Sequence, residues 1–155
     1  MTGMFFPDDV VNAAVATLAS LNGNGVNTGQ ISELDIEDND QLVFDPPCVR
    51  IRYAGAKYQD NCDNQGLLYN DVRHYLDYWC AAENLTGKTE QANDTLTLIR
   101  QVLPLVVGSR LALPNGESSE PLRITDITSL PDDPAGTVFV LSVMVPGIAL
   151  FTGEQ

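Results

Sequence analysis

Histidine and cysteine are the side chains best suited to nucleophilic or acid–base chemistry near neutral pH. This sequence holds a single histidine, His74, and three cysteines, Cys48, Cys62 and Cys80. A Cys/His or Ser/His/Asp site would need His74 beside a nucleophile, with a carboxylate orienting the ring, and none of these residues stands in a nucleophile motif. His74 lies in an aromatic-rich stretch and reads as a packed or interface residue. Zinc ligation by Cys62, His74, Cys80 and an aspartate can be drawn, but the spacings match neither CxxC nor HxxxH. Asp38-Asn39-Asp40 starts like a calcium loop, yet the sixth position lacks glycine and the twelfth lacks glutamate. No pair is singled out among the 21 acidic residues for glycoside chemistry. Phosphate-cradling GxGxxG and GxxxxGK[ST] runs do not occur, and Asn22-Gly-Asn-Gly25 follows a helical pattern, the wrong side for that use. The expectation is a protein that is not an enzyme, with no catalytic residue, cofactor or metal.

The cations are placed unusually. Arg50, Arg52, Arg73 and Arg123 each alternate with apolar residues, so in strands they would project from a sheet face. Arginine pairs bidentately with carboxylates and, like tryptophan, is enriched in interfaces. Arg50, Arg52, Arg73, Arg123 and Trp79 are therefore the candidate subunit or partner contacts. Neutralisation of nearby Asp and Glu within the same chain is the other account of the arginines. The chain as a whole is acidic, with 21 acids against 8 bases and a formal charge of −13; no Lys or Arg precedes Arg50 or follows Arg123. That field opposes holding DNA or RNA, which requires several cations on phosphates. An acidic front on one subunit meeting an arginine-bearing sheet on the next would make a heterologous, ring-closing contact.

At 155 residues the chain suits one domain spanning 1–155, able to bury roughly 68–70% of its unfolded surface. Its 44% hydrophobic and 19% charged content is that of a folded protein and not a disordered tail. No run reaches the ~20 apolar residues of a membrane helix, and no membrane partner is expected. The start has no positive region before its apolar patch, so no secretory signal is expected. An odd number of cysteines without CxxC spacing fits a reducing compartment. The sequons at Asn84 and Asn93 read as chance.

Pro7, Asp8 and Asp9 open a helix whose Val10, Val11, Ala14, Leu18 and Leu21 share a face, and Asn22-Gly-Asn-Gly25 stops it. Val26–Pro47 reads as an acidic loop with one or two short edge strands, anchored by Ile31, Leu34, Ile36, Leu42, Val43 and Phe44. Cys48–Tyr53 is a half-buried strand continued by Ala54-Gly55-Ala56, with a polar turn from Gln59 to Gly66. Leu67–Ala82 satisfies helical and strand spacing alike; its Tyr69, Tyr75, Tyr78 and Trp79 favour a strand. Thr89 starts a second helix with Ala92, Leu96, Ile99, Val102 and Leu103 on one face, which Pro104 ends or kinks. Leu105–Leu113 reads as an apolar connector. Leu122–Thr128 alternates, and Thr137–Val145 suits a central strand covered on both faces, the two forming an antiparallel hairpin. The order predicts an α+β fold: a two-layer sandwich of a mixed, mainly antiparallel sheet with two helices packed on one face.

The succession of an amphipathic helix, PPCVRIRYAGAKY, DVRHYLDYWCAAEN, TLTLIRQVLPLVVGSRLAL, LRITDITSL and VFVLSVMV resembles the tail-terminator and tail-completion proteins of tailed bacteriophages, in particular the Mu-like group. The resemblance implies a structural virion protein of the tail or neck, assembled in the host cytoplasm as a homo-hexameric ring. Such a ring caps the head-proximal end of the tail tube, ends its polymerisation and offers the joining surface for the head connector. The implied partners are further copies of the chain, the tail tube protein, the head-tail connector protein and, where a tail has one, the sheath protein. DNA would pass through the lumen without being bound. The competing readings are another neck or baseplate adaptor, and a small hydrolase or metal-dependent enzyme using His74 and the acids.

Overall fold

The computed structural model describes residues 7–23, 25–31, 47–62, 68–82, 88–112, 118–129 and 138–151. Helices α1 (Pro7–Thr17) and α2 (Ala19–Asn22) come first, then strands β1 (Asn27–Gln30), β2 (Cys48–Cys62) and β3 (Leu68–Ala81). Helix α3 (Lys88–Val106) and strands β4 (Arg123–Ser129) and β5 (Val138–Phe151) follow. The five strands form one sheet in the order β1-β2-β3-β5-β4. Among the described strands only the β1–β2 pair is parallel. The helices pack on one face of this sheet, so the predicted α+β sandwich is the fold observed.

Proline fixes φ for a first helical turn, and Asp8 and Asp9 complement the positive end of α1. The expected face is the buried one: Val10, Val11, Ala14, Leu18 and Leu21 all enter the core. The chain makes two helices there, not one. The Thr17 hydroxyl donates to the Ala14 carbonyl at 2.7 Å, and such back-bonding competes with the regular ladder. Gly25, at φ +82°, turns the chain into β1. Of the anchors expected for the acidic segment, Leu34, Ile36, Leu42, Val43 and Phe44 lie outside the described residues, as do Asp38 and Asp40.

Three strand readings need correction. Gln59 to Cys62 belong to β2, paired with Asp71 to Leu68, and are not part of a turn; cross-strand ladder bonds override the local turn preference of Asp and Asn. β5 is interior to the sheet, between β3 and β4, as expected, but it is not equally covered on both faces. On the helix side of β5, Leu141, Val143 and Val145 are buried and Phe139 half-buried; on the other side only Val140 is buried, while Ser142 and Met144 are half-buried. β5 also runs on to Phe151, beside β3 for its whole length.

Two corrections concern α3. Its buried face is Thr95, Leu98, Ile99, Val102 and Val106; Leu96 is 45% exposed and Leu103 half-buried. Thr95 takes a core position because its Oγ1 accepts the Ala82 backbone N–H at 3.0 Å, tying the end of β3 to the helix. Pro104 does not end the helix, since the Val107 N–H still bonds the Leu103 carbonyl at 2.9 Å. Gly108, at φ +73°, ends it. Leu105 and Val106 are thus helical, and Leu111 beyond them is a fully buried core residue.

Removing the acceptor at Thr95 strands a buried N–H. Thr95→Val is expected to cost about 1–3 kcal/mol and Thr95→Ser clearly less, as read from the midpoints of urea unfolding curves.

Candidate interaction surface

Strand periodicity sorts β2, β3 and β5 into two faces. Val49 and Ile51, then Val72, His74, Leu76, Tyr78 and Cys80, then Leu141, Val143 and Val145 point toward the helices and are buried. Their neighbours occupy the opposite face, on which no described helix packs. The register sets Arg50 opposite Trp79, Arg52 opposite Asp77 and Lys57 opposite Arg73. It also sets Tyr75 opposite Met144, which in turn faces Arg123. All five candidate contacts, Arg50, Arg52, Arg73, Arg123 and Trp79, therefore share one face. With Lys57 they bring five of the chain's eight cations there.

The face has internal order. Arg52 Nη2 donates to Asp77 Oδ2 at 2.9 Å, and its guanidinium carbon lies 5.9 Å from the Trp79 ring centroid. Lys57 Nζ lies 5.9 Å from the Tyr75 centroid. Exposed contacts of these kinds contribute about 0.2–1 kcal/mol each, enough to orient the rings but little for stability. Gly29 of β1 leaves room for Arg50: a Cβ there would meet Arg50 Nη1 at 3.2 Å.

Tyr75 and Asp77 follow from alternation between Arg73 and Trp79, but Lys57 does not, and the cause is specific. Counting in twos from Arg50 and Arg52 puts Lys57 on the core side. A bulge between Tyr53 and Gly55 inserts one residue and reverses the parity. Gly55 at φ +125°, a value that suits only glycine, permits it. The Ala54-Gly55 pair in mid-strand was the available signal.

The geometry scatters the residues that a nucleophilic site would require. His74 and Cys80 stand six positions apart on β3, about 20 Å of extended chain. Cys62 is equally far from Ala56, the residue opposite His74, and Cys48 lies beyond the other end. Burial and the neighbouring Cys48 raise the Cys80 thiol, so it stays protonated. His74 is fully buried, with Tyr53 Oη 2.9 Å from Nδ1 and, among the described residues, no hydrogen-bond partner at Nε2. The two rings are tilted at 55°, with centroids 5.9 Å apart. Among the described residues no group of His, Cys, Asp and Glu could hold a metal ion.

Desolvation holds the His74 pKa below its ordinary value. A depressed folded pKa means that the unfolded chain takes up the proton first as pH falls. The stabilisation is complete above the unfolded value of about 6.5 and lost as pH falls toward the folded one, by at most about 1.4 kcal/mol per pH unit. Denaturant titrations between pH 7.5 and 5 are expected to show a steeper loss for the wild type than for His74→Gln, whose side chain has no proton to gain.

No protein-family model matches the sequence, and no curated protein matches it. Among solved structures, the fold is similar to a chain in the virion of a native gene transfer agent particle. The TM-score is 0.47 at 13% identity, over 94% of this chain and 95% of that one. A likeness at that level carries no argument about what this chain does.

Proposed function

We propose that this chain is a non-catalytic structural subunit of a phage-like virion. Copies of it would form a ring on the tail or neck that caps the tail tube, ends its polymerisation and presents the joining surface for the head connector. The observation that carries this reading is the one-sided sandwich: one sheet face packs on the helices, while the other gathers five of eight cations around Trp79 and Tyr75. In a chain of charge −13, such a face complements the acidic surface of its own copies, the head-to-tail arrangement that closes rings. The element order that resembles tail-terminator proteins supports the same reading.

The charge also suits the lumen. A ring of six chains multiplies the acidity sixfold, and the resulting repulsion lets DNA pass without being held. Each subunit contact must offset several kcal/mol of association entropy and so needs more than about 1,000 Å² of buried surface. A tryptophan flanked by arginines is the composition typical of the residues that dominate such contacts.

Mass photometry of the chain, alone and with its tube protein, is expected to show closed oligomers in at least one condition. Trp79→Ala and Arg52→Glu should each shift assembly to at least about tenfold higher concentration, some 1.4 kcal/mol per contact. Arg110→Glu, away from this face, should leave it unchanged. Monomers throughout, in both conditions, would sink the reading.

A further inference from the structure

The three long strands outrun the described strands that flank them. β1 pairs only with Cys48–Ile51 of β2, and β4 only with Phe139–Met144 of β5. Strands β2, β3 and β5 nevertheless stay in register as far as Cys62, Leu68 and Phe151. Beyond the Gly55 bulge the sheet therefore continues as a three-stranded ribbon of Ala56–Cys62, Leu68–His74 and Val145–Phe151, about 23 Å long. Its middle strand is paired on both sides. Its two outer edges, on β2 and on β5, have no strand beside them among the described residues.

Backbone N–H and C=O groups on such edges take a partner strand or water. Proteins that keep edges apart place Lys or Pro along them. Here Lys57 and Pro146 guard only the near end of each edge. Past them, Tyr58–Cys62 has one charged residue, Asp60, and Gly147–Phe151 has none, and neither stretch contains proline. Both outer strands run antiparallel to β3, and so parallel to each other. A rotation from one copy to the next, about an axis roughly along the ribbon, lays the β5 edge of one beside the β2 edge of its neighbour. One chain thus carries both halves of a repeating contact, on edges of similar length that no described strand pairs with.

From this we infer that the ribbon edges are the strand-pairing site between copies, Gly147–Phe151 of one adding to Tyr58–Cys62 of the next. The inference rests on the ring reading above and gives it a physical contact. Six copies joined this way place eighteen strands in one barrel, about 28 Å across if untilted and about 36 Å at a tilt of about 40°. Inward side chains take about 10 Å of that width, leaving a bore of about 18–26 Å, near the width of a DNA duplex.

Cysteine placement on the full chain tests it. Within one copy β3 separates β2 from β5 by about 9.6 Å, beyond the ~7 Å disulfide limit, so any bond between Cys62 and a cysteine at 148–151 joins two copies. Ile148→Cys, Ala149→Cys, Leu150→Cys and Phe151→Cys are made singly, assembled with tube protein and oxidised. At least one should give a ladder of linked multimers up to the assembled size, abolished by Cys62→Ser. In parallel, amides of Tyr58–Cys62 and Gly147–Phe151 in the unsubstituted chain should exchange with deuterium at least tenfold more slowly in the assembly than in dilute monomer. Assemblies showing neither ladder nor protection overturn the inference and leave the ring standing. Linked dimers alone indicate a two-fold contact and overturn it. Protection that needs tube protein and comes without a ladder assigns the edges to that partner, and also overturns it. Failure to assemble at all removes the ring reading and the inference together.

Discussion

The register of β3 is the constraint on which the rest of the structure depends. Its fourteen residues are laddered on one side to β2 and on the other to β5, and alternate side chains go to two unlike environments. Val72, His74, Leu76, Tyr78 and Cys80 are buried on one face, the last three in the core with the helices, while Arg73, Tyr75, Asp77 and Trp79 lie on the far face. A slip of one residue would drive a guanidinium and a carboxylate into the core, at a cost far above what the domain can absorb. The arrangement has its own cost, because the Tyr78 hydroxyl and His74 Nε2 are buried with no hydrogen-bond partner among the described residues. Each such group costs about 1–3 kcal/mol, which the surrounding apolar burial must offset.

The bulge beside Gly55 connects that register to the surface chemistry. Without it, Lys57 would face the core side and the open face would lose one cation. With it, β2 presents Arg50, Arg52 and Lys57 on one side while Val49 and Ile51 remain buried. The bulge also falls where the described flanking strands have ended, leaving three described strands side by side. Local backbone geometry, surface charge and the shape of the sheet edge thus change at the same place in the chain, where a subunit contact would make use of all three.

Much of this was legible in the residues. The alternation of Val49, Ile51 and Tyr53 with Arg50 and Arg52 gave both faces of β2, and the apolar spacing from Val10 to Leu21 gave the buried side of the first helices. The misses have physical causes. Leu96 outranks Thr95 in hydrophobicity, yet Thr95 is buried because a backbone N–H 13 residues away needs its hydroxyl; periodicity carries no record of such a partner. Gln59 to Cys62 look like a turn until a facing strand supplies ladder bonds. Pro104 looks like a terminator, but near the end of a helix it removes only one bond, and the chain carries on to the glycine that ends it. The candidate interaction face was legible in residue type and alternation, except for Lys57, whose parity depends on a bulge.

The central claim is that this chain acts by docking side by side with copies of itself, not by chemistry at a site of its own. Electron cryomicroscopy of the chain assembled with its tube protein tests it most directly. The account predicts a closed ring of copies seated on one end of the tube, with each Trp79 buried against a neighbour. Isolated copies scattered along the tube, or a bare tube end beside free monomer, would contradict it.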